Sequence, residues 1–161
     1  MDSVSREILR DVALEEIGPK PRRPRNPVDH WSTPVLLERA AYLRKLARAG
    51  DGSASETLRE YPLHRAMLSF RSRSGEVEVH EQFADVFYVL AGAATLITGG
   101  AVVGARLVSP GETRGESIDG GSRQQLRAGD VAHVPAGTPH QMLVAGDKTV
   151  TCLVIKVQEV A

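Results

Sequence analysis

The histidines beside short turns and strands are the residues of this chain with the clearest chemical potential. His140 follows a turn that contains Pro135 and Gly137, and it opens an apolar strand. Proline fixes the backbone angle that enters the turn, and glycine supplies angles that a side chain would forbid. Such a turn can aim the following imidazole into the interior of a fold, where it can bind a metal ion or move a proton.

A second polar group lies upstream, in the segment that leads to the apolar run Val86–Leu90. Residues two apart on a strand point to one face, so Glu78, His80 and Gln82 share a side. Asp85 comes directly before the apolar run. In this segment a carboxylate, an imidazole and an amide therefore share one face, and a second carboxylate follows.

The segment around His140 resembles the second signature of the cupin superfamily, whose small β-barrels hold a metal or a small ligand. The shared spacing is G-x5-P-x-G-x2-H, from Gly129 through Pro135 and Gly137 to His140. The family pattern ends in Asn, where this chain has Val144.

The upstream segment is similar to the first cupin signature, G-x5-H-x-H-x3-4-E-x6-G, in a degenerate form. Gly92 ends a Tyr-Val-Leu strand as in the family, which places Asp85 at the family's glutamate position. His80 then occupies the second histidine position and Glu78 the first. In the alternative register His80 is the first histidine and Gln82 its partner.

This resemblance implies a metal site formed by Glu78, His80, Asp85 and His140, with Gln82 as the alternative to Glu78. Two imidazoles and two carboxylates suit one divalent transition metal, namely zinc, manganese, iron or nickel. We assign no catalytic residue and no organic cofactor. Glu78 is equally consistent with a solvated charge. His133 has no motif support as a ligand, and we expect it to pack or to line a pocket.

Composition restricts the class of protein. The chain has 161 residues, 42% hydrophobic and 25% charged, which suits one folded domain with a polar surface. Its formal net charge is zero, so nothing global attracts nucleic acid or an anionic membrane. Its start carries too many charges for a signal peptide, and no stretch approaches a transmembrane span, so we expect a cytoplasmic protein. The single cysteine, Cys152, lies in an apolar run and is expected to pack.

The first part of the chain, residues 1–54, is expected to be a helical extension with a Pro/Arg-rich linker. Apolar residues recur at helical spacing over residues 4–17, and a run rich in proline and arginine follows. Thr33 is expected to cap a second helix, with Pro34 at its first position and Gly50 beyond its end. Its apolar stripe should pack on the barrel or on a partner subunit, and we expect a homodimer that uses these helices.

Residues 55–161 are expected to form an all-β domain, the cupin-type double-stranded β-helix or jelly-roll barrel. Short alternating segments recur at regular spacing, with candidate strands at 86–90 and 94–98 among them. Gly99-Gly100 and Gly120-Gly121 are expected to form hairpin turns. The polar segment Gly104–Gly121 favours a solvated loop or edge strand, although four of its charged residues are suited to a pocket mouth: Arg106, Glu112, Arg114 and Glu116.

The resemblance leaves function open, because one fold hosts many chemistries. The leading hypothesis is a metal-dependent enzyme of oxidoreductase, isomerase or lyase type, acting on a small oxygen-bearing molecule at an open metal position. The alternative is a module that binds a small ligand or a metal without turnover. A metal-free sugar-nucleotide epimerase is the third hypothesis, but Tyr88 occupies the strand position rather than that of an acid.

Overall fold

The β-rich pattern of the sequence forms a curled antiparallel sheet that carries one helix. The structure, a computed structural model, describes residues 28–159. The described residues contain α1 (Thr33–Ala49) and twelve strands: β1 (Ser53–Glu60), β2 (His64–Arg71), β3 (Val77–His80), β4 (Phe83–Thr98), β5 (Ala101–Val103), β6 (Arg106–Ser109), β7 (Glu112–Gly115), β8 (Ser117–Asp119), β9 (Ser122–Arg127), β10 (Val131–Val134), β11 (His140–Leu143) and β12 (Val150–Gln158). This is the expected all-β cupin-type fold.

The long strand β4 belongs to both faces of the barrel. Its first half pairs with β10 and β12, and β12 continues through β2 to β1. Its second half pairs with β9 and β11, and β11 continues through β3 and β7 to β6. We call these the first and second sheets. Because one strand serves both, the sheet must curl around a common interior.

That interior is filled by apolar side chains from both sheets. The buried cluster is Val89, Ala94, Leu96, Leu126, Val134, Met142, Val144, Val150, Cys152 and Val154. Cys152 packs here as expected, and burial raises the pKa of its thiol to about 12. Phe87 packs against the cluster and meets the His140 ring edge-on, with 6.1 Å between ring centroids. The core therefore supports one of the predicted site residues directly.

The helix α1 packs its predicted stripe on the barrel. Leu36, Ala40, Leu43 and Ala47 are buried, and α1 contacts β1 and β2. Burying a leucine as completely as Leu43 stabilises the fold by about 1.5–3 kcal/mol. The expected cap was wrong by one residue, because Ser32 is the N-cap and its side chain makes no capping bond.

The helix predicted over residues 4–17 and most of the Pro/Arg linker lie outside the described residues. From Ser32 onward, α1 and the strands belong to one compact unit. The division into residues 1–54 and 55–161 stays a prediction. No helical segment within residues 28–159 combines the length and apolar character needed to cross a bilayer.

Two predicted strands, 86–90 and 94–98, are one strand. The expectation of a break at Gly92 was wrong because β4 runs through this residue, which pairs with Val150 of β12. The register shifts two residues earlier, at Leu90, between the partners Thr151 and Cys152. Gly92 has a φ of 80°, and a Cβ there would overlap the carbonyl oxygen of Thr149. Glycine thus lets β4 bend from the first sheet into the second without ending.

The glycine pairs do not form hairpin turns. Thr98 pairs with Ser122 before the pairs, and Ala101 pairs with Asp119 after them. Gly99-Gly100 and Gly120-Gly121 therefore face each other across one continuous ribbon and bend it. A Cβ on Gly100 would lie 2.5 Å from the Asp119 carbonyl oxygen, so side chains are excluded there. The ribbon turns back farther on, between β6 and β7.

Candidate metal centre

The fold brings together four of the residues singled out in the sequence. Glu78 and His80 lie on β3, Asp85 near the start of β4, and His140 at the start of β11. One potential ligand atom from each of Glu78, His80, Asp85 and His140 lies within 4.8 Å of the others. His80, Asp85 and His140 are buried, whereas Glu78 is partly exposed. His140 is about 55 residues or more from the other three members in the sequence, so the barrel itself completes the cluster.

The two imidazoles point the same nitrogen at the same carboxylate oxygen. His80 Nε2 and His140 Nε2 each lie 3.3 Å from Asp85 Oδ2. Both Nε2 atoms are nevertheless buried without a hydrogen-bond partner of suitable direction. A buried polar atom without a partner is costly, so this pair suits an electron-pair acceptor placed between them.

The Nδ1 atom of each imidazole, on the side away from the cluster, has a hydrogen-bond partner. His80 Nδ1 lies 2.6 Å from Glu112 Oε2, and His140 Nδ1 lies 3.1 Å from the Thr138 carbonyl oxygen. Both partners are acceptors, so each Nδ1 carries the hydrogen and donates it. Metal-binding histidines are commonly oriented in this way, since it leaves the lone pair on Nε2. The chemistry of the donor set therefore fits a transition metal ion.

Asp85 is fixed by a lysine from the last strand. Lys156 on β12 is the register partner of Asp85, and its Nζ donates to Asp85 Oδ1 over 2.7 Å. Burial raises the pKa of the Asp85 carboxyl, but the adjacent imidazoles of His140 and His80 and the charge of Lys156 outweigh it. The pKa of Asp85 therefore lies well below its usual range, and the carboxylate stays ionised with Oδ2 turned toward the imidazoles.

Glu78 forms the more open side of the cluster. Its Oε2 lies 3.3 Å from His80 Nε2 and 3.8 Å from His140 Nε2. Burial raises the pKa of its carboxyl, but the adjacent His80 imidazole and the charges of Arg114 and Arg71 lower it to about 2. Burial likewise opposes charge on His80, but the adjacent carboxylates of Asp85 and Glu78 raise its pKa to about 9 in the metal-free site. A metal ion bound at Nε2 would therefore displace a proton.

The sequence interpretation missed the role of β7. Within the segment expected to be a solvated loop, Glu112 pairs with His80 and Arg114 with Glu78 in the β3–β7 ladder. Arg114 also donates to Glu112 over 3.2 Å. The signal was present, because Glu112 and Arg114 alternate with the same period of two as Glu78 and His80. The expected edge strands of this segment are β6, at the end of the second sheet, and β8, which pairs only with β5.

The other charged residues of that segment and the remaining candidates lie apart from the cluster. Arg106 pairs with Glu76, and Glu116 is exposed. Gln82 is exposed on the connection between β3 and β4, which leaves Glu78 as the fourth member. His133 is exposed on β10, so the expectation that it packs was wrong, and a place in the lining of a pocket stays a prediction.

A family model described as a cupin domain matches residues 108–156. The match includes β7, β11 and Lys156, which surround the cluster. The chain contains a cupin domain. The match leaves the ligand roles of Glu78, His80, Asp85 and His140 as a prediction, since it identifies a domain and not its donor atoms.

Several solved structures are similar to this chain. The protein TT1209 of Thermus thermophilus is 21% identical, with a TM-score of 0.52, over 72% of this chain and 93% of that one. A cupin superfamily protein of Desulfitobacterium hafniense is 17% identical, with a TM-score of 0.47, over 66% and 78% of the two chains. The polyketide cyclase RemF of Streptomyces resistomycificus is 17% identical, with a TM-score of 0.48, over 67% and 66%. The comparison with curated proteins found no match.

Proposed function

We propose that this cupin is a metal-dependent enzyme acting on a small oxygen-bearing organic molecule. One divalent transition metal ion is held by Glu78, His80, Asp85 and His140. The observation that carries the proposal is the pair of buried Nε2 atoms, His80 and His140, which lack hydrogen-bond partners and face one carboxylate oxygen. A homodimeric assembly and a cytoplasmic location complete the proposal.

The donor set suits zinc, manganese, iron or nickel. Two nitrogen and two oxygen donors are typical of these ions, several of which accept more than four ligands. A bound ion of this kind supplies Lewis acidity, which polarises a carbonyl or enolate oxygen placed on an open position. Oxidoreductase, isomerase and lyase chemistry all draw on that property.

The residues of the chain orient the donors and control access. Glu112 and the Thr138 carbonyl fix the two imidazole rings, and Lys156 fixes Asp85. His80, Asp85 and His140 are buried, whereas Glu78 has 28% of its side chain exposed. A substrate therefore approaches along the Glu78 side.

A module that binds without turnover is the second candidate. It is favoured by the pairing of the nearby carboxylates: Asp85 is bound to Lys156, and Glu112 to His80 and Arg114. An acid–base catalyst must be able to exchange its proton with substrate, which such pairing opposes. Proton NMR of small carbonyl compounds incubated with metal-loaded protein separates the candidates, because only an enzyme changes their signals in a metal-dependent way.

Metal content tests the site itself. Protein purified without added metal should contain about one equivalent of a transition metal by elemental analysis. His140→Ala should lose most of it, whereas the matched variant His133→Ala, at an exposed histidine on β10, should retain it. Wild-type protein without metal, or His140→Ala with a full complement, would overturn the proposal.

Melting temperature on the same preparations gives the control for folding. If His140 had only a structural role, His140→Ala would keep its metal and lose about 1–2 kcal/mol of stability, from the lost bond to the Thr138 carbonyl.

A further inference from the structure

Two arginines stand at the open side of the cluster. Arg71 ends β2 in the first sheet, and Arg114 lies on β7 in the second. The Nη2 atom of each lies 3.9 Å from the same oxygen, Glu78 Oε1. The two nitrogens are thus no farther apart than twice that distance, close enough for both to donate to one small anion.

Neither arginine is fully engaged by Glu78. A separation of 3.9 Å permits Coulombic attraction but exceeds the length of a hydrogen bond. Arg114 uses its Nη1 atom for Glu112 and the Thr113 carbonyl, which leaves Nη2 toward Glu78. Both side chains are partly exposed, at 28% for Arg71 and 24% for Arg114. Their donors face the side from which substrate approaches.

The charge of the loaded site favours an anion. Around the cluster three carboxylates, Glu78, Asp85 and Glu112, stand against three cations, Arg71, Arg114 and Lys156. With neutral imidazoles these charges cancel, so a divalent ion leaves a positive excess. A positive site with low-dielectric walls attracts negative ligands and raises their local concentration.

Gly75 makes the room that the Arg71 guanidinium occupies. A Cβ at Gly75 would lie 2.7 Å from Arg71 Nη1. The Gly75 backbone is fixed on both sides, since its N–H donates to the Met142 carbonyl over 2.9 Å and its carbonyl accepts from Gln141 Nε2 over 3.0 Å. These bonds tie the glycine to β11, directly after His140.

We infer that the substrate is an organic acid, with its carboxylate between Arg71 and Arg114 and a neighbouring oxygen toward the metal position. This inference rests on the proposed function and adds the substrate class to it. Guanidinium groups match carboxylates in planar shape and can donate two hydrogen bonds to them.

Binding of lactate to zinc-loaded protein tests the inference. Calorimetry should detect one lactate per chain and much weaker binding of lactamide, its neutral amide. Arg71→Gln should weaken lactate binding about tenfold or more, because a charge-assisted hydrogen bond is lost. The matched variant Arg123→Gln, at an exposed arginine on β9, should bind lactate like the wild type.

Gly75→Ala separates geometry from charge. The variant keeps every charge of the site but displaces the Arg71 guanidinium, so it should weaken lactate binding while lactamide binding stays unchanged. Arg71→Lys should fall between the wild type and Arg71→Gln, because it keeps the charge and loses the planar pair of donors.

Elemental analysis of each sample distinguishes a failure to bind zinc from a failure of Arg71 to bind the carboxylate. Full zinc content with equal lactate affinity in wild type and Arg71→Gln overturns the inference and leaves the proposed function standing. Tighter, Arg71-dependent binding of inorganic phosphate than of lactate also overturns it. Absence of bound zinc overturns the proposed function and the inference with it.

Discussion

Each imidazole of the cluster is oriented by a hydrogen bond on the side away from its neighbours. His80 donates to Glu112 and His140 to the Thr138 carbonyl. The first partner is a charged side chain and the second a backbone group, so only the first can be changed by substitution without moving the chain. Glu112 is therefore the residue through which His80 can be tuned as a ligand.

We predict that Glu112→Gln lowers metal affinity about tenfold or more. The amide oxygen still accepts the His80 Nδ1–H, but the loss of negative charge makes the imidazole a weaker donor to the metal, and partners of this kind typically contribute 10–100-fold. Competition with a chelator of known affinity measures the change.

The control for this prediction is Glu116→Gln, on an exposed glutamate of the same ribbon, which should keep the wild-type affinity. Equal affinities for Glu112→Gln and the wild type would show that Glu112 does not act on the metal through His80.

Among the elements, β4 decides how the two sheets meet. It needs a residue that can bend the strand and accept a neighbouring backbone at close range, and Gly92 meets both requirements. Gly120 has nearly the same φ, 78° against 80°, but its missing Cβ would point into open space. The two glycines therefore separate the cost of a positive φ from the cost of a clash.

We predict that Gly92→Ala destabilises the protein far more than Gly120→Ala. A positive φ costs an alanine about 1–2 kcal/mol, which is the whole expected effect at Gly120. At Gly92 the Cβ also overlaps the Thr149 carbonyl, which brings the loss to about 3 kcal/mol or more. Urea unfolding of both variants measures the difference, and equal losses would show that the contact between Gly92 and the Thr149 carbonyl does not constrain this position.

The sequence predicted those elements whose residue patterns depend only on nearby positions in the chain. The turn at Pro135 and Gly137, the strand leading to Gly92 and the stripe of α1 have spacings that depend on neighbours in the chain. The assignment of Glu78, His80, Asp85 and His140 came from a resemblance that preserves those spacings. The structure adds their convergence.

The pairing of β7 with β3 could not be predicted in the same way. It depends on a ribbon that bends at two glycine pairs, and a Gly-Gly pair in a sequence is also typical of a hairpin turn. Arg71 and Lys156 likewise reach the site from β2 and β12, at sequence distances that no local pattern spans. Only the pairing of strands that are distant in the sequence brings these residues to the site.

At the scale of the whole molecule, the cluster joins the two sheets. Asp85 belongs to the half of β4 in the first sheet, whereas Glu78, His80 and His140 belong to strands of the second. A metal bound by all four residues therefore connects both faces of the barrel, and a ligand that binds only the folded state stabilises it.

We predict that removal of the metal lowers the melting temperature. At a free metal concentration of 100 times Kd, binding contributes about 2.7 kcal/mol, which corresponds to roughly 5–10 °C for a domain of this size. Differential scanning calorimetry with and without a chelator measures the shift. His140→Ala should melt at one temperature under both conditions, and an equal lack of response in the wild type would contradict the prediction.

The position of Lys156 on β12 also sets an order of events during synthesis. β12 follows the other eleven strands of the described residues, and it pairs with both β2 and β4. Until it emerges from the ribosome, Asp85 lacks the cation that orients it, and the first sheet lacks a central strand. The growing chain thus contains the histidines and carboxylates of the cluster before it can arrange them, and a metal ion bound by all four residues would be taken up only after Lys156 has been synthesised.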